Sequence, residues 1–351
     1  MFGNRSTKYG YSSTRAKGMM SHLISKQRLQ SMVTAKDMSS LLSILNQTNY
    51  SKMLSNYGGS NLKDSLIDFA LSEDMAKSMA SVMRLTPNSD KTILKGIIGR
   101  WDLHNIKIVL EAKATNSSYE KISSFIIDYG EHNKLAVKEI MKEDSIEHIL
   151  QRFMINSNYS SILQEALNTY MKTKKVSDTI NKINLLYYKS LSKSMRQLST
   201  NGEIASRIIR LEIDMRNILT LIRGRALSLD YAQIQEAIIE NGNLPQEELK
   251  KVFTSSDSME SMVSKITIFD LKTALTQYKK NKRIVGFEIS MRSSIFKLAL
   301  KTLTHSVLSL TTVIAYVYLK EIELSVLRAV IKSKEYNLNS DELSELIIWK
   351  E

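Results

Sequence analysis

A helical pattern used more than once constrains this chain more than any other feature. Residues 100–113 read RWDLHNIKIVLEAK, and residues 212–225 read EIDMRNILTLIRGR. Each stretch carries an acid (Asp102, Asp214), an Asn three places on (Asn105, Asn217), then an Ile (Ile106, Ile218) and a closing base (Lys113, Arg225). A third copy at 323–334, ELSVLRAVIKSK, keeps the acid and the base as Glu323 and Lys334 but has Val326 in place of Asn. In all three, apolar residues fill the second, fifth, eighth and ninth places, which is one stripe of a helix.

From Asp102 to Asp214 to Glu323 the pattern keeps a nearly constant period of about 110 residues. A second, unrelated pair holds the same period: QTNYS and NSNYS place Tyr50 and Tyr159 one such interval apart. Two segments keeping nearly one period define three tandem units, 1–117, 118–229 and 230–351. Such units are too long for a stacked solenoid and each is large enough for a core of its own. The expected architecture is all-α: three helical domains related by pseudo-threefold symmetry, closing into a funnel with an axial cavity.

Composition agrees with helices. The 351 residues include 2 Pro and 12 Gly, too few breakers for a series of hairpins or βαβ turns. No cysteine is present, which excludes disulfides, thiolate metal sites and cysteine nucleophiles. The run STRAKGMMSHLISKQRLQSMV (13–33) has helical spacing of Met19, Met20, Leu23, Ile24, Leu29 and Met32. Ser89 and Asp90 follow Pro87 as candidate N-caps, and Pro245 precedes an acid-rich first turn.

The net charge of +13 suits either an anionic partner (a nucleic acid, a membrane face or an acidic protein) or simply a solvated, lysine-rich surface. The bases are dispersed, with QYKKNKR (277–283) the densest cluster, and no aromatic interleaving suggests base stacking. The stretch 302–319 carries no charge and is close to a membrane span in length. Thr302, Thr304, His305, Ser306, Ser309, Thr311 and Thr312 would be costly in lipid, while Leu303, Val307, Leu310, Ile314 and Val317 keep a helical stripe. The expectation is a helix buried in protein, within a soluble chain.

Sequence signatures of catalysis are missing. There is no G-x-x-x-x-G-K-[ST], G-x-G-x-x-G or G-x-S-x-G, and the five histidines stand far apart. Asp102, Asp214 and Glu323 are expected to cap or pair with a base of a neighbouring helix, with Asn105 and Asn217 bonding locally. No catalytic, cofactor or metal residue is assigned; the signature acids, Asn residues and the bases Lys113, Arg225 and Lys334 are structural.

The ordered set YGYSSTRAKGMMSHLIS, WDLHNIKIVLEAK, IDMRNILTLIRGR and VIAYVYLKEIELSVLRAVIKSK resembles the C subunit of the archaeal and bacterial A/V-type ATPases, the counterpart of the d subunit in the eukaryotic vacuolar enzyme. The resemblance spans nearly the whole chain. It implies a funnel-shaped, non-catalytic connector of the central stalk. Such a connector sits on the cytoplasmic face of the proteolipid rotor ring, a peripheral position, and receives the tip of the shaft. It passes torque between ATP hydrolysis or synthesis and ion (hydrogen ion or sodium) transport. No nucleotide, metal, ion, nucleic acid or small-molecule substrate is expected. The rival reading, drawn from charge alone, is a basic all-helical nucleic-acid-binding protein.

Overall fold

The computed structural model describes residues 3–56, 64–196, 203–305 and 309–336, and all regular structure among them is helical. A first helix, α1 (Gly3–Met20), precedes three series of α-helices. The first series is α2 (Lys26–Thr34), α3 (Met38–Leu45), α4 (Ser51–Ser55), α5 (Asp64–Leu85), α6 (Lys91–Ile98) and α7 (Arg100–Ala114). The second is α8 (Tyr119–Ile122), α9 (Lys134–Ile140), α10 (Ile146–Met154), α11 (Ser160–Thr173), α12 (Val176–Arg196) and α13 (Glu203–Ala226). The third is α14 (Tyr231–Ile234), α15 (Gln246–Thr254), α16 (Met259–Ser264), α17 (Lys272–Asn281), α18 (Val285–His305) and α19 (Leu310–Glu335).

Local chemistry sets many of these boundaries. Ser25, Asp37, Asn133, Ser145 and Ser258 each accept a backbone N–H of the first turn they precede, as N-caps do. Lys174 and Lys282 end α11 and α17 in the left-handed conformation, at matching places in two series. The span α6–α7 corresponds to α13, displaced by the repeat period and interrupted at Gly99. Tyr159 explains the glycine, because its phenol lies where a Cβ on residue 99 would stand.

Three sequence expectations differ from the structure. The run 13–33 divides between Met20 and Lys26, since Ser25 caps a new helix and the Ile24 N–H is engaged elsewhere. The stretch 302–319 is divided too: α18 ends at His305 and α19 starts at Leu310. Ser309 between them is extended, and it trades two hydrogen bonds with the Ser13 hydroxyl, at 3.0 and 3.3 Å. Leu303, Leu310, Ile314 and Val317 of its stripe are buried in protein, and Val307 lies outside the described residues. No helix among the described residues is long and apolar enough to cross a membrane. Asp90, finally, does not cap with its side chain; it accepts from Tyr9 (2.8 Å) and pairs with Lys8 (3.1 Å), tying α1 to the start of α6.

The packing has a consistent direction. The signature helix α7 packs on α10 and α12, which follow it in the chain, and α13 packs on α15, α16 and α18. Helix α19, the last of the described helices, packs on α1, α3 and α5. The stripe positions Leu103, Ile106, Val109 and Leu110 are buried, as are Met215, Ile218, Leu221 and Ile222, and Leu324, Leu327, Val330 and Ile331. That burial of apolar surface is the main stabilisation, at about 25 cal/mol per Å².

Two glycines show how tight the helix-to-segment contact is. Gly130 (φ +93°) and Gly242 lie one period apart, and a Cβ on either would collide with the carboxylate of Asp102 or Asp214. Gly242→Ala is expected to cost about 1–3 kcal/mol by overpacking, read as a lower urea midpoint. An unchanged midpoint would show that the segment yields freely.

Candidate functional site

The signature residues are clasps, one set per helix. In α7, Asp102 accepts from the His132 N–H (2.8 Å). Asn105 accepts from the Ile127 N–H (2.9 Å) and donates to the Ile127 and His132 carbonyls (2.7 and 2.8 Å). Lys113 donates to the Glu143 carbonyl (2.7 Å). In α13, Asp214 accepts from the Asn243 and Leu244 N–H groups, both at 3.0 Å. Asn217 exchanges two 2.8 Å bonds with Ile239, and Arg225 donates to the Phe253 carbonyl. The Asn bonds are therefore not local, as expected from the sequence, but reach a backbone 22 residues on. Nor, among the described residues, do Asp102 and Asp214 form an ion pair with a base; they receive backbone donors that would otherwise be buried and unmet, a loss of about 1–3 kcal/mol each. Burial raises both carboxyls, Asp102 to about 7, against the pull of the same N–H groups.

In α19 the clasp closes on the other end of the chain. Glu323 accepts from the Ile24 N–H (2.5 Å) and the Tyr50 hydroxyl (2.6 Å), and Lys334 donates to the Val33 carbonyl (2.8 Å). The longer Glu reaches where Asp served in the other two. Among the described residues, this is the signature acid that does have a basic partner: Lys320 binds Glu323 (2.8 Å), Asp74 (2.7 Å) and the Tyr50 hydroxyl (2.8 Å). Burial opposes the Lys320 charge, but Tyr50, Glu323 and Asp74 together hold its pKa well above the usual lysine range.

A second cluster has no counterpart in the sequence expectations. Two places before each signature acid stand Arg100, Glu212 and Glu321, and these three meet. The Arg100 Nη1 lies 3.0 Å from Glu212 and 3.4 Å from Glu321. Tyr188 and Tyr318 both donate to the Glu212 carboxylate, and the Arg216 Nε donates to the Tyr188 hydroxyl (2.6 Å). The Arg100 guanidinium also lies over the Tyr318 ring at 4.4 Å. Burial disfavours the Glu212 anion, yet Arg100 and Arg216 outweigh it and hold the carboxyl at about 2. The signal was present as opposite charges at equivalent positions; a search for similarity passes over it.

Beside this triad lies a cavity of about 260 Å³ lined by residues of all three signature helices, among them Trp101, Lys107, Arg216 and Arg328. A larger cavity of about 790 Å³, off the triad, is bordered by Lys95, Asp102, Tyr159 and Glu165. Among the described residues no group of three or more His, Asp or Glu is arranged to hold a metal. The densest chemistry is structural: charges that fix where three helices meet.

Comparison with known proteins bears on all of this. Residues 12–346 match the profile of the family described as ATP synthase (C/AC39) subunit. The chain is 24% identical over 345 residues to the A-type ATP synthase C subunit of Methanocaldococcus jannaschii, covering 97% of this chain and 86% of that one. It is 21% identical over 343 residues to the equivalent A-type protein of Thermoplasma acidophilum, covering 95% and 96%. To that of Archaeoglobus fulgidus it is 24% identical over 354 residues, covering 99% and 97%.

Proposed function

We propose, from the premise that the chain belongs to the ATP synthase (C/AC39) subunit family, that it is the central-stalk connector of a rotary A/V-type ATPase. That family is an accessory subunit of the synthase rather than its catalytic one, and its members work with the other subunits of the complex. In this reading the connector is peripheral, seated on the cytoplasmic face of the proteolipid ring, and it holds the shaft tip to transmit torque.

The single observation that carries the reading is the meeting of Arg100, Glu212 and Glu321 around one guanidinium. Positions related by a threefold rotation touch one another only near the rotation axis. The triad therefore supports three lobes about a common axis, with the adjoining cavity on it. The lobes correspond to the sequence units 1–117, 118–229 and 230–351, with one rotation of partners: each signature helix clasps the start of the next unit, and the last clasps the first. A body tied in a cycle resists twisting about its axis, as a torque-bearing connector requires.

The test is reconstitution. A rotary complex assembled without this chain is expected to hydrolyse ATP without driving ion transport, and the purified chain is expected to restore coupling and to travel with shaft and ring. Full coupling in its absence would overturn the proposal. So would tight, steeply salt-dependent binding to DNA or RNA with no association with the complex.

A further inference from the structure

The charged side chains that border the smaller cavity are mostly cationic. Arg100, Lys107, Arg216, Arg292 and Arg328 border it, with Glu321 the one carboxylate in its wall among the described residues. Four of the cations have carboxylate partners: Arg100 with Glu212 and Glu321, Arg216 with Glu212, Arg292 with Glu288 (2.9 Å) and Arg328 with Asp68 (2.6 Å). The Lys107 ammonium instead donates to the neutral Asn184 side chain (2.9 Å). His104, also in the wall, is held neutral by burial and by Lys107 beside it, its pKa lowered to about 4.

Two residues of the same wall each carry a buried donor that has no hydrogen-bond partner among the described residues. The Arg100 side chain is 9% exposed and its Nη2 has no hydrogen-bond partner. The Trp101 Nε1, on a residue 2% exposed, has none either. A buried donor left unmet costs about 1–3 kcal/mol, more when charged, so two beside an ammonium with no carboxylate bound to it describe a place built for an acceptor. Glu321 keeps the wall from being purely cationic and disfavours a highly charged guest.

We propose that this cavity binds one small oxyanion, of phosphate or carboxylate type, by charge pairing with Lys107 and by hydrogen bonds from the Arg100 and Trp101 donors. The volume of about 260 Å³ admits a phosphate or the end of an acidic side chain. The proposal goes beyond the connector reading and stands without it. Burial, then Arg216, lowers the Lys107 pKa to about 7 against the opposing pull of Glu111 and Glu212. An oxyanion in the cavity restores the ammonium charge.

The full chain, in a buffer free of other oxyanions, is titrated calorimetrically with inorganic phosphate and separately with acetate. Saturable binding of one equivalent of either is expected. Lys107→Met should weaken it about 10- to 100-fold, the loss of one charge-assisted contact, and Lys107→Arg should restore most of it. Phosphate binding identifies a free ion as the source; binding of acetate alone identifies a carboxylate presented by a partner. Binding of neither overturns the proposal, as does binding that Lys107→Met leaves unchanged. Circular dichroism of the Met variant separates a lost site from a lost fold, and the Arg variant keeps the test open should Met unfold.

Discussion

Replacing Arg100 by Met is expected to lower stability at neutral pH by about 3–5 kcal/mol, the cost of leaving buried charge without its partner. Glu212 is 4% exposed and would keep the Tyr188 and Tyr318 hydroxyls but, among the described residues, only Arg216, at 3.6 Å, as a cation, while Glu321 would lose its contact with the guanidinium. The effect has a pH signature. Glu212 is held at about 2, against an ordinary 4.5, so its contribution is complete above 4.5 and is lost as the pH falls towards 2. Without Arg100 the Glu212 carboxyl titrates higher, so wild type and variant should converge in acid. Urea denaturation at neutral pH and at a pH of about 3 measures the difference. A gap that widened in acid would show that the triad does not hold the anion.

Glu323→Ala should be as costly, about 3–5 kcal/mol, and should act far from the substituted residue. It removes the acceptor of the Ile24 N–H and of the Tyr50 hydroxyl, and leaves Lys320 with Asp74 as its remaining anion. Because α19 holds residues 24–50 from the far end of the chain, the loss should free that segment. Trypsin is expected to cut early at Lys26, Arg28 or Lys36. The matching changes at Asp102 and Asp214 should be milder, since each of those clasps a segment adjoining its own helix and has no buried cation depending on it. Persistent protection of residues 24–50 in the Glu323 variant would sink this account.

The helices and the buried stripes were legible because each depends on spacing along one chain segment. The all-helical class follows from the same spacing and from the scarcity of Pro and Gly. The roles of Asp102 and Asn105 were not, for their partners are backbone groups 22 to 30 residues on, and a backbone group carries no sequence mark. Gly130 and Gly242 were the available hint, two glycines one period apart, each a fixed distance after a signature acid. The triad was hidden for another reason. Repeat detection rewards sameness, whereas Arg100, Glu212 and Glu321 work because one copy has reversed its charge; three equal charges at that point would repel. The break at Ser309 was likewise invisible, since its partner, Ser13, lies 296 residues away.

The clasp between α19 and residues 24–50 also orders events in time. During synthesis the first two clasps can form soon after their own segments emerge. Residues 24–50 must wait for Glu323 and Lys334, a lag of roughly 15–60 s at about 5–20 residues per second. Throughout that interval Leu41 and Leu45 of α3, both buried in the finished fold, lack the helix that packs against α3. They are then the surface a chaperone would hold. A chain that stops short of α19 cannot hide them, so closure of the last clasp is the step that first covers this surface.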